Sequence, residues 1–108
     1  MSDPRLSDRR RTRRVRMKQP LRVRPSNAKD GTFEETGTTT NVSQDGLYFV
    51  SKREEYREGM RLFVTMPYYA PNSAQNYEYV GQIARIDDLG GNGKGIAVRF
   101  LSSTKMKA

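Results

Sequence analysis

Two short stretches carry the residues that could do chemistry. The first is Asp8-Arg9-Arg10-Arg11-Thr12-Arg13-Arg14-Val15-Arg16, with six arginines in nine residues. A guanidinium is planar and permanently charged. Its fork of donors grips phosphate oxygens in pairs, and its flat face stacks on an aromatic base. It also pairs with guanine through O6 and N7. Arg10 and Arg14 are four residues apart, so they share a side whether the run is helical or extended. Arginine is used throughout until Lys18, which suits a need for that fork rather than for charge alone. The same run also reads as a solvated basic arm that attracts any polyanion.

The second stretch is Asn41-Val42-Ser43-Gln44-Asp45-Gly46. Asn41 offers both donors and an acceptor to a base edge, and Ser43 offers a hydroxyl and a backbone N–H to a phosphate. Gly46 permits a left-handed backbone or a close approach by a ligand. Asn, Ser, Asp and Gly are also the ordinary residues of a turn between two strands.

Composition narrows what these stretches can serve. The chain has 108 residues, which suits one domain with one modest core. It has no cysteine and no histidine. That excludes disulfides and thiolate zinc sites, and removes the commonest general base and metal ligand. No apolar run approaches the roughly 20 residues a membrane span needs, and no signal peptide is visible, so the cytoplasm is the expected compartment. The net charge of +8 is lopsided. Residues 1–24 hold ten Lys/Arg against two Asp, whereas residues 25–108 hold ten against ten Asp/Glu. A basic arm on a neutral body points to an anionic partner.

The elements that must position these residues read as strands. Pro20–Pro25 alternates, with Leu21 and Val23 inward. Ser26–Gly31 is a turn. Phe33–Val42 is a threonine-rich strand in which Gly37 marks a bulge. Ser43–Gly46 is a turn and Leu47–Val50 an apolar strand. Ser51–Gly59 is charged, with a short helical turn that Gly59 ends. Met60–Met66 alternates again. Pro67–Asn76 is a loop bearing Tyr68 and Tyr69, a partner patch or simple edge packing. Tyr77–Ile86 is a strand with Tyr79, Gly81, Ile83 and Arg85 on one face. Asp87–Lys94 is a hairpin turn, and Gly95–Leu101 closes the fold. Six short strands without a strong amphipathic helix predict an all-β, six-stranded antiparallel barrel. Residues 1–8 read as a disordered terminus, residues 9–101 as the domain with its flexible arginine-rich arm, and residues 102–108 as a short tail.

In this order and spacing the two stretches resemble the signature of the PilZ domain, a receptor family for cyclic di-GMP. That family carries RxxxR at the entry to its first strand and (D/N)xSxxG between its second and third. Arg10-Arg11-Thr12-Arg13-Arg14 and Asn41–Gly46 match both, and Gly95-Ile96-Ala97-Val98-Arg99-Phe100 is similar to the family's last strand. The resemblance implies that Arg10 and Arg14 clamp guanine and phosphate. It implies that Asn41 bonds guanine, that Ser43 lies near a phosphate and that Gly46 keeps the floor clear. Arg9 and Arg13 also satisfy RxxxR. Val15 supplies the β-branched residue the family places after its second arginine, which favours the Arg10/Arg14 register. Arg9 joins the expected site, with Arg11, Arg13 and Arg85 as secondary candidates. Many members carry a helix after the last strand, and here it is expected to be short or missing.

The resulting expectation is a cyclic di-GMP receptor that orders its arm over the barrel and signals to a downstream protein or fused domain. It calls for no catalysis, cofactor or metal. The competing reading is a small basic barrel that holds RNA or DNA nonspecifically through the arm, with steep salt dependence.

Overall fold

The computed structural model describes residues 18–107, with side chains through Leu101. The arginine run and its RxxxR motif lie outside the described residues. Six strands form: β1 (Pro20–Pro25), β2 (Glu35–Val42), β3 (Gly46–Ser51), β4 (Arg61–Thr65), β5 (Tyr77–Asp88) and β6 (Lys94–Lys107). They close into an antiparallel barrel in the order β1-β2-β3-β6-β5-β4.

Alternation fills the barrel. Leu21 and Val23 of β1, Leu47 and Phe49 of β3, and Leu62 and Val64 of β4 are all buried. Ile83, Ile96 and Val98 complete the interior from β5 and β6. Each such side chain contributes roughly 1.5–3 kcal/mol of transfer free energy. From β2 the buried side chain is Thr39, whose hydroxyl accepts the Gln19 backbone N–H at 2.9 Å. The threonines of β2 therefore line a wall more than they fill a core.

Several local expectations need correction. Gly37 is not a bulge: it pairs in register with Leu21. The irregularity falls three residues on, between Thr39 and Asn41. Ser51–Gly59 holds no helical turn; only a reverse turn closes at its end, where the Met60 N–H donates to the Arg57 carbonyl at 3.1 Å. Tyr56 buries itself there, edge-on to both Phe33 and Phe49. Its hydroxyl donates to Glu35 at 2.6 Å, and the Ser51 hydroxyl donates to the same carboxylate at 2.8 Å. An aromatic anchor with a polar handle holds this segment without helical bonds. β6 continues to Lys107, beyond the expected end at Leu101, because β5 starts early enough to pair Tyr77 with Lys107 and Glu78 with Met106.

The face assignment of β5 also changes. Uniform alternation puts Arg85 on the side of Ile83, which is the core. The ladder instead slips between Ile83 and Arg85. Ile83 and Ile86 both turn inward, and Arg85 turns to solvent. An extra residue in one strand reverses the faces that follow it.

Candidate functional site

The two bulges act on the same outer wall. On β2, Thr39 points in, the strand slips, and Asn41 points out before Val42 returns to the core. On β5 the slip at Ala84 does the same for Arg85. Asn41 pairs with Tyr48, Tyr48 with Ala97, and Ala97 with Arg85. These four residues form one cross-strand row over β2, β3, β6 and β5. The next row joins Gly46, Arg99 and Gln82. The two rows and the Ser43–Asp45 turn enclose an open depression of about 190 Å³.

The turn is held by its own polar groups. Ser43 N–H donates to the Gly46 carbonyl at 2.8 Å, and the Ser43 hydroxyl accepts the Asp45 N–H at 3.2 Å. The Phe100 N–H donates to the Asp45 carbonyl at 2.7 Å, which ties the turn down onto β6. Gly46 has no left-handed φ. It is glycine because a Cβ there would sit 2.0 Å from the Val98 carbonyl oxygen of β6. The close approach is made by a neighbouring strand.

Gly95 answers a similar demand. A Cβ on it would lie 1.7 Å from the Tyr48 hydroxyl oxygen. Tyr48 thus lies across β6 and donates to Asp87 Oδ2 at 2.8 Å. The same carboxylate accepts Arg85 Nε at 2.9 Å and Nη2 at 3.3 Å. The Arg85 hydrogen bond, then the Tyr48 hydroxyl, hold the Asp87 carboxyl below its ordinary value. In return the Asp87 bond raises Arg85. Burial, then the bond to Asp87, raises Tyr48. All three groups keep their usual charge states at neutral pH. Arg99 is placed differently: its Nη2 donates to the neutral Gln82 Oε1 at 3.0 Å.

The structure therefore brings together Asn41, Ser43, Gly46 and Arg85 from the sequence expectation. Arg9, Arg10, Arg11, Arg13 and Arg14 fall outside the described residues. Sequence reasoning missed Tyr48, Asp87 and Arg99. Arg99 had a signal: with Ile96, Val98 and Phe100 inward, Ala97 and Arg99 must face out. Among the described residues no group of three or more His, Cys, Asp or Glu could hold a metal ion. No helix among them is long and apolar enough to cross a membrane.

The chain is thus a small closed six-stranded barrel with an open, arginine-flanked depression beside an NxSxxG turn. The family model of the PilZ domain matches residues 8–107, and the chain belongs to that family. The fold is also similar to a structure titled inhibitor of motility (MotI/DgrA) from Bacillus subtilis. There the TM-score is 0.67 at 14% identity, over 88% of this chain and 44% of that one. This chain thus spans under half the length of that protein. It is similar, too, to the PilZ domain of YcgR from Escherichia coli, solved with c-di-GMP. That match has a TM-score of 0.56 at 20% identity, over 87% of this chain and 79% of that one. No curated protein matches the sequence.

Proposed function

We propose that this chain is a cyclic di-GMP receptor module. The observation that carries the reading is the convergence of Asn41, Ser43 and Gly46 with two arginines in one depression, on a barrel of this family. The c-di-GMP held by the PilZ domain of YcgR supports the same choice. The charges lining or backing the depression are Arg85 and Arg99 against Asp45 and Asp87, so the barrel face is close to neutral. A ligand with two phosphates needs more positive charge than this face holds. Residues 9–16 supply it, with Arg9, Arg10 and Arg14 as principal contacts and Arg11 and Arg13 beside them.

On this reading the ligand draws the arginine arm over the barrel, and the ordered arm relays the signal to a downstream protein or fused domain. The chain acts as a cytoplasmic binder, with no catalytic step and no cofactor. Nonspecific nucleic-acid binding has less support. Phe63 and Tyr68 each lie under a guanidinium, at 4.5 Å from Arg24 and 4.9 Å from Arg22, which leaves Tyr69 and Tyr77 as the exposed rings for stacking.

Titration calorimetry with cyclic di-GMP and with GMP tests the proposal. The cyclic dinucleotide is expected to bind far more tightly. Equal, millimolar-level binding of both overturns it.

A further inference from the structure

We propose that the two arginines of the barrel face divide recognition between them. Arg85 reads the guanine edge and Arg99 holds a phosphate, with Asp87 the positioning residue that makes Arg85 a base reader. This rests on the cyclic di-GMP reading above.

The register carries the assignment. Arg85 shares its row with Asn41, with Tyr48 and the small Ala97 between them. A base lying across that row meets a carboxamide at one end and a guanidinium at the other. Arg99 shares its row with Gly46, and both line the depression that Ser43 also lines. That puts a cation in the same depression as the Ser43 hydroxyl, where a phosphate belongs.

The partners carry it further. Asp87 grips Arg85 through Nε and Nη2, which fixes the guanidinium plane and offsets its charge. What remains is a fixed pair of donors on the opposite edge with little net charge behind it. Such a group favours a directed match to guanine O6 and N7 over a general attraction for anions. Adenine offers N7 but sets an N6 donor against the same fork. Arg99 leans on a neutral amide and keeps its full charge. It is the better phosphate ligand, because no carboxylate among the described residues offsets its charge or fixes its fork toward a base edge.

The test compares cyclic di-GMP with cyclic di-AMP, which share phosphates and differ in base edges. Affinities come from calorimetry, and from displacement of cyclic di-GMP where binding is weak. Arg99→Gln is expected to weaken both ligands alike, by about tenfold, and to keep their ratio. Arg85→Lys keeps the charge and loses the fork, so the preference for guanine falls by about tenfold or more. Asp87→Asn releases Arg85: the preference falls, while binding of cyclic di-AMP does not weaken. Arg85 and Arg99 are exposed, and asparagine keeps the shape of the half-buried Asp87 and an acceptor for Tyr48, so thermal midpoints should stay close to wild type. An unchanged ratio in Arg85→Lys or in Asp87→Asn overturns the division of labour, and so does a changed ratio in Arg99→Gln. Failure of the wild-type chain to bind cyclic di-GMP is a different result, and it overturns the functional reading itself.

Discussion

The wall of β1 and β4 and the wall of β2, β3, β6 and β5 both carry outward arginines, and the two walls treat them differently. On the first wall, Arg22 lies over Tyr68 and pairs with Glu34 at 3.4 Å. Arg24 lies over Phe63 and pairs with Glu78 at 3.4 Å. These two guanidiniums each have an aromatic face and a carboxylate, which leaves them less free to recruit an anion. On the second wall, Arg85 has a carboxylate but no ring beneath it, and Arg99 has only an amide. Small residues, Ala97 and Gly46, leave the space beside them open. Arginine count alone would not separate the walls. What separates them is how far each charge is already satisfied, and whether a ligand can lie next to it.

The comparison can be broken in several ways. The largest effect should come from the arm. On the proposed function, replacing Arg10 and Arg14 together by alanine would remove two charge-assisted contacts of about 1.5–3 kcal/mol each. Cyclic di-GMP affinity should drop roughly 100-fold or more, with an unchanged thermal midpoint. Calorimetry that finds the wild-type affinity would end the assignment of the arm.

Next is Gly46→Ala, which forces β3 and β6 apart at the Val98 carbonyl. Overpacking of this kind costs about 1–3 kcal/mol, so denaturant unfolding should show a clear loss of stability. Wild-type stability would mean that this strand pair has slack.

On the far wall, Arg24→Ala should leave cyclic di-GMP affinity within about twofold. Stability should fall by about 0.5–1 kcal/mol, from a lost cation–π contact and a surface ion pair. A tenfold loss of affinity would show that the wrong wall has been chosen.

The smallest effect concerns Asp87. Its carboxyl sits below the ordinary 3.8. A lowered value in the folded state means that the interaction is present above the unfolded value and fades as pH falls through the folded one. The Asp87–Arg85 pair should thus persist throughout the neutral range and fail only in acid. A carboxyl NMR titration should give a midpoint under 3.8; one at or above it contradicts the pairing.

Much of the fold was legible because inward positions on β1, β3, β4 and β6 keep strict alternation. Leu21 and Val23, or Ile96 and Val98, announce their faces with no help from a partner strand. The turn at Ser43–Gly46 was legible from residue type, and its joint appearance with RxxxR pointed to the ligand. The helical turn expected within Ser51–Gly59 failed for a tertiary reason. Tyr56 finds Phe33, Phe49 and Glu35, three partners from other elements, and their packing outweighs local preference.

By itself the sequence determined the uneven charge, the lack of histidine and cysteine, the strand count and the residues of the NxSxxG turn. These follow from composition and from the period of two that any half-buried strand must show. Tertiary pairing decided which side of the wall Asn41 and Arg85 face. Each sits just past a one-residue slip, and a slip exists only relative to the neighbouring strand. Alternation counted along one strand sends Arg85 toward the core. Counted across the ladder, both residues reach solvent in the same row, and the candidate site owes this row to two strands losing register on one wall.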